Sequence, residues 1–284
     1  MAFSMGIINF FHTKVVKYIY FYNFIIIVII TFSISFNLYS KNKIIVASTT
    51  STYDTGLLDL LNKKFLEKHN VSVQVLSLGT GQAIRTAKDG NAEILLVHHT
   101  PSEIKFMEQG HGIERQEIMY NDYVLVGPIT DDGKCLSVQH KLEKIFQNKE
   151  LFISRGDDSG THRKELEMWS LTNINFNKAI KFYLSVGQGM GSTLLIANEK
   201  KAYTLSDRST WIAFNKRENL KIVCEDFPPL FNQYGIILVN PDKNNNLNFK
   251  DAKKYIDWFK TEEVKILINS FKSKGKQLFY YNLH

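Results

Sequence analysis

The sequence predicts an α/β protein of two lobes, and three observations lead there. From Lys43 onward, short apolar runs alternate with segments of helical period, the rhythm of a parallel sheet crossed over by helices. A polar, turn-rich stretch, ITDDGK, interrupts the alternation, and a second α/β series follows it. Past Pro228 and Pro229 the chain adds one more apolar strand and a helical segment, which are expected to return to the first lobe. On this reading lobe 1 is 44–127 with 228–284, and lobe 2 is 128–227.

Taken in order, KIIVAS is a short buried strand. DTGLLDLLNKKFLEKHN then sets Leu57, Leu58, Leu61 and Phe65 on one helical face. VSVQVLSL alternates with period two, with Val71, Val73 and Val75 on one side. GTGQAIRTAKDG is a short helix closed by Gly90, AEILLV a buried strand and MYNDYVLVGP another. The second series reads ELFIS, a helix after Gly160, MGSTLLIANEKK, AYTLS and LKIVCED. YGIILVNP is a buried strand, DKNNNLNFK a loop, and DAKKYIDWFKTEEVKILINSF carries an apolar face through Tyr255, Ile256, Phe259 and Val264. Trp169, Trp211 and Trp258 fall at helical apolar positions and are expected in the core.

The first forty residues are a separate problem. Lys14 and Lys17 precede a charge-free apolar run that ends in small polar residues before Lys41, the layout of a secretory signal peptide over 1–40. The competing reading is an uncleaved anchor, since the run approaches spanning length, but Asn23, Thr31, Ser33, Ser35 and Asn37 dilute it. No cysteine follows the run, which argues against a lipoprotein. The expected location is therefore the periplasm.

Two of the 35 basic residues and none of the 28 acidic ones lie in that leader, so the remainder carries about +5. Its lysines are scattered over helix-like stretches, a solvated basic surface rather than a nucleic-acid stripe. An exported protein permits a disulfide between Cys135 and Cys224, but two cysteines specify no framework, and packed thiols are expected.

The chemistry sits in the strand-to-helix junctions. STTSTYDTG, GTGQA, SRGDDSGTH and GQGMGST all gather hydroxyls and glycines where a helix begins. A helix N-terminus offers unpaired N–H groups and a positive dipole end, glycine lets backbone approach closely, and hydroxyls donate further bonds. One such junction would be an N-cap; several in one chain, at the carboxyl ends of strands, make an anion cradle. Other chemistries fit less well. DDSG superficially resembles a serine-protease centre, but that fold is all-β; Ser159 has Asp157 where a nucleophile elbow needs glycine. GQGMG lacks the dinucleotide spacing and no phosphate-loop Gly-Lys-Ser/Thr is present. His98 and His99 are adjacent, so from a strand they point apart, and a loop or packing role is expected rather than metal ligation.

STTSTYDTGLLDLL, GTGQAIRTAKDGNAEILLVHH, MYNDYVLVGP, FISRGDDSGTHRKELEMW and GQGMGSTLLIANEKKAYTLSDRSTW occur in the order in which the periplasmic tungstate-binding proteins of ABC importers carry such motifs, and the chain resembles that family over nearly all of 44–284. The resemblance implies the type II periplasmic-binding-protein fold, two lobes closing over an oxyanion in the cleft between them. It implies a first binding loop at Thr49, Thr50 and Ser51, a second at Thr80 and Gly81, and, from the opposite lobe, Arg155, Ser159, Gly160 and Thr161. The first loop begins STTST where the family often has TTTST, which keeps a hydroxyl at the changed position.

Arg155 would be the single cation and Ser159 and Thr161 neutral donors. Like charges in a dry site repel, so at least one of Asp157 and Asp158 should cap the helix or orient Arg155, its carboxylate turned from the ligand. The implied function is capture of tungstate, with molybdate second, for delivery to a membrane permease. It would act as a monomer, without catalysis, cofactor or nucleic acid, and with tungsten held only as its oxyanion. The alternatives are a phosphate receptor, in which an acid accepts a proton from the anion, and a secreted anion-ester hydrolase.

Overall fold

A computed structural model describes residues 42–176, 181–243 and 247–283. The expected signal peptide lies outside them. β1 (Lys43–Thr49) leads through the short α1 (Thr50–Tyr53) into α2 (Leu57–His69), followed by β2 (Ser72–Leu78), α3 (Thr80–Lys88), β3 (Ile94–Val97) and α4 (Thr100–Glu108). The long β4 (Gly112–Pro128) carries the chain onward to α5 (Val138–Gln147), β5 (Phe152–Ser154), α6 (Gly160–Ser170), β6 (Tyr183–Ser185), α7 (Met190–Lys200), β7 (Thr204–Asp207), α8 (Arg208–Ala213) and β8 (Leu220–Cys224). β9 (Phe231–Val239) returns, with α9 (Phe249–Trp258), α10 (Glu262–Ser270) and three two-residue strands, β10 (Lys272–Ser273), β11 (Lys276–Gln277) and β12 (Tyr280–Tyr281).

The first sheet runs β12-β4-β9-β3-β1-β2. β1 pairs parallel with β2 and β3, as the crossover rhythm predicts, while β9 and β4 enter antiparallel. β4 belongs to two sheets. Its residues up to Asp122 pair with β9, and from Tyr123 it pairs with β7 and β8. β5 extends the second sheet beside Tyr203 and carries β6 in parallel.

Each sheet has apolar clusters on both sides. Leu57, Leu58, Leu61 and Phe65 are fully buried with Tyr255, Ile256, Phe259 and Val264 against the first sheet, as their spacing predicts. Burying a side chain of that size contributes about 1.5–3 kcal/mol. Trp258 joins this cluster; Trp169 and Trp211 lie in the two clusters of the second sheet.

The C-terminal apolar run is two helices rather than one. Thr261, extended at φ −82° and ψ 150°, separates α9 from α10, and its hydroxyl donates to Trp258 O at 2.7 Å. The expectation of packed thiols is corrected as well: Cys135 and Cys224 form a disulfide with Cα atoms 5.1 Å apart. β4 and β8 align Leu125 with Cys224, and Asp226 accepts from Val138 N–H at 2.8 Å, which draws the start of α5 beside the end of β8. Sequence spacing carries no trace of that approach.

Candidate functional site

The first donor loop is the turn from β1 into α1. Thr49 caps α1, its Oγ1 accepting from Thr52 N at 3.4 Å and lying 2.7 Å from Thr52 Oγ1 and 3.4 Å from Ser51 Oγ. The second is the start of α3, where Gly79 stands at the cap position and no side chain serves the first-turn N–H groups. Thr80 is fully buried there and its Oγ1 has no partner. A Cβ on Gly81 would crowd the Asp158 carboxylate on the opposing loop, so the two helix starts lie against one another.

That opposing loop joins β5 to α6. Arg155 is 3% exposed, and its guanidinium donates to Asp157 Oδ2 from Nη2 at 2.6 Å and from Nε at 3.2 Å. The other Asp157 oxygen accepts Ser159 N–H at 3.2 Å. Burial would raise the Asp157 carboxyl, but Arg155 and Ser159 together hold it below the usual carboxylate range. Asp158 sits at φ 58° and pairs with Arg163 at 2.9 Å. One acid therefore orients Arg155 and the other serves α6, so both are engaged within their own loop. Ser159 caps α6 by accepting His162 N–H at 3.2 Å, and its hydroxyl also bonds the Asp157 carboxylate. Thr161 is buried with an unpartnered Oγ1.

Thr50, Ser51 and Arg155 meet around a cavity of about 350 Å³. Its further lining comes from Asp54, Thr55, Thr210, Ala213 and the start of α7 at 189–192. That last segment is the GQGMGST junction, whose composition marked it without placing it among the expected donors. Arg155 is the one cation among the residues lining this cavity. Burial raises the Asp54 carboxyl, against the pull of Arg155. Asp207, fully buried and raised by burial, accepts Thr210 N–H at 2.8 Å and the Thr210 hydroxyl at 2.6 Å. Thr49, Thr80, Gly81, Ser159, Gly160 and Thr161 do not line the cavity. Gly81 abuts Asp158, and Gly160 abuts the ring of His98.

His98 takes the packing role expected of it, and its reach to the first loop is what the sequence did not show. It is buried, lies 3.3 Å from Ser51 Oγ through Nε2, and burial pushes its ring down to about 4, so it is neutral at pH 7. The only signal in the sequence was a histidine following a four-residue buried strand. His99 does what was expected of it, capping α4 by accepting Ser102 N–H. Among the described residues no three His, Cys, Asp or Glu side chains gather as a metal site. A larger cavity, of about 660 Å³, lies against Tyr120, Trp211 and Tyr280, away from the donor loops. Two of its cations are engaged, Arg208 by Asp122 and Glu225, and Arg217 over Trp211.

Residues 39–263 match the PBP superfamily domain. The tungstate-binding protein TupA of Peptoclostridium acidaminophilum is 44% identical over 245 residues, covering 84% of each chain. Among solved structures, the tungstate-binding protein TupA of Desulfovibrio alaskensis G20 superimposes with a TM-score of 0.75 at 36% identity, over 86% of this chain and all of its own. The tungstate ABC transporter structure from Geobacter sulfurreducens gives a TM-score of 0.72 at 39% identity, over 80% of this chain and 97% of its own. The two lobes that share β4 are the type II periplasmic-binding-protein fold. The chain belongs to the PBP superfamily and, within it, to the family of the tungstate-binding proteins.

Proposed function

We propose that this protein captures tungstate, with molybdate second, and hands it to the membrane permease of an ABC importer without altering it chemically. It works as a monomer, exported by a signal peptide over 1–40, with lobe 1 at 44–127 and 228–284 and lobe 2 at 128–227. The oxyanion takes donors from Thr49, Thr50, Ser51, Thr80, Gly81, Ser159, Gly160 and Thr161 and its counter-charge from Arg155. One observation supports this reading most. Thr80 and Thr161 each bury a hydroxyl with no partner, on facing helix starts, and a buried unpaired hydroxyl costs about 1–3 kcal/mol. An oxyanion that draws on both would remove that penalty from both lobes.

Selectivity over sulfate follows from size, because a smaller tetrahedron in a cleft of fixed span loses some of its donors. Asp54 is the observation that favours the phosphate reading, since a carboxylate lining the cavity can accept a proton from hydrogen phosphate.

Calorimetry with tungstate, molybdate, sulfate and phosphate decides between them. Tungstate at a thousandfold excess over Kd should stabilise the fold by about 4 kcal/mol and raise Tm by several degrees. Scattering should show a smaller radius of gyration on binding. Binding and compaction with phosphate alone would assign the protein to phosphate instead.

A further inference from the structure

His98 lies in none of the donor loops, yet it touches the first of them and the loop that faces it. The imidazole is held on several sides. Tyr234 stacks on it at 4.8 Å between ring centroids. Its Nδ1 lies 2.9 Å from Asn232 Oδ1 and 2.9 Å from the Tyr123 hydroxyl, and its Nε2 lies 3.3 Å from Ser51 Oγ. From the second lobe comes Gly160, on which a Cβ would stand 2.8 Å from the His98 Cε1.

The neighbours decide which ring nitrogen carries the proton. Asn232 Nδ2 donates to Asn121 Oδ1 at 2.6 Å and to the Tyr234 hydroxyl at 3.1 Å. The amide oxygen of Asn232 therefore faces His98 and accepts the Nδ1 proton. Nε2 is left as a bare acceptor, and the Ser51 hydroxyl within its reach has a single proton to give. Ser51 lines the cavity beside Arg155, but its side-chain proton turns inward to the imidazole.

We propose that His98 is a positioning residue of the oxyanion site: it accepts the Ser51 hydroxyl proton, pins the first donor loop, and forms the surface on which Gly160 of the second lobe closes. The inference rests on the oxyanion reading above. Ser51 then acts through its fixed place in the loop rather than as a side-chain donor. Position 160 is glycine because the imidazole fills the space a side chain would take.

A double-mutant cycle read by tungstate calorimetry tests this. His98→Asn keeps a polar group near the place of Nδ1 and loses the reach to Ser51, whereas His98→Gln carries an amide oxygen toward the place of Nε2. His98→Asn should weaken tungstate binding about fivefold, the loss of one neutral hydrogen bond. His98→Gln should recover most of that loss, and His98→Asn should add little in a Ser51→Ala background. Equal losses in both backgrounds, or no recovery with glutamine, would reduce His98 to packing.

Gly160→Ala supplies a second arm with the imidazole intact. It should weaken binding and abolish compaction in scattering, and unchanged binding and compaction would overturn the closure role. An unaltered protein that binds none of the four anions removes the oxyanion reading and this one with it. An unaltered protein that binds normally confines any failure to His98.

Discussion

The two faces of the cleft are built from different chemistry. The second-lobe face carries a guanidinium and its own brace, Arg155 held by Asp157, which in turn accepts Ser159 N–H. The first-lobe loops carry no cation; they present the hydroxyls of Thr49, Thr52 and Thr80, with Ser51 held against a neutral imidazole. A buried charge must have its partner before the ligand comes, because an unpaired ion in a dry site is too costly. A hydroxyl can rotate toward an acceptor when one arrives. The charged face is thus fixed in advance, and the neutral face fits itself to the shape of what is bound.

Four outcomes would break or sharpen that contrast. Both cysteines belong to the second lobe, so reduction should lower stability by about 2–4 kcal/mol and do so unevenly. Hydrogen exchange after reduction should rise in α5 and β8 before α2 and β3; a uniform rise would show that the lobes unfold as one unit.

Acid should act through the first lobe. Burial depresses the folded His98 well below its ordinary value, to about 4, and His99 likewise to about 4. The unfolded chain then binds more protons than the folded one between about 4 and about 6.5, so this stability is complete above about 6.5 and lost as pH falls toward 4. For His98 alone the loss amounts to about 3 kcal/mol. Glu103, raised by burial to about 7, works in the opposite sense over the same interval, so the His98 part is read as the difference between the unaltered protein and His98→Asn in denaturant midpoints across pH 4–7.

Arg155→Ala should weaken tungstate binding by about 1.5–3 kcal/mol, against about 1 kcal/mol for Ser159→Ala, because it removes the one cation lining the cavity. Equal losses would make the arginine structural. The smallest effects belong to Thr80→Val and Thr161→Val, each expected to cost about 1 kcal/mol of binding. Neither should destabilise the ligand-free protein, since neither hydroxyl has a partner to lose. A drop in ligand-free Tm would locate an internal partner for one of them.

Much of this was legible in the sequence. The faces through Leu57 and Phe65, or Tyr255 and Phe259, are local: their spacing alone puts them on one side of a helix. The strand-to-helix junctions were legible too, since hydroxyl and glycine at a helix start is a pattern of adjacent residues. The reach of His98 to the first loop was not. Its meaning comes from Tyr123 and Asn232, 25 and 134 residues away, and no spacing rule connects them. The same holds for Cys135 and Cys224, 89 residues apart. The tasks of Asp157 and Asp158 could be inferred because repulsion from an anion required them to turn elsewhere; only the structure divides them, one to Arg155 and the other to Arg163.

The strand order has a bearing on how the chain is born. β9 lies between β3 and β4 in the first sheet, yet it is made only after the whole of the second lobe. A chain emerging N-terminus first can lay β1 beside β2 and β3, but the sheet has no middle until Val239 has appeared. Pairing across so long an interval is slow, because the loop must be closed before any contact rewards it. The first sheet therefore stays without its central strand through most of synthesis. The connectivity that lets one strand serve two lobes also sets a clock on when either can become rigid.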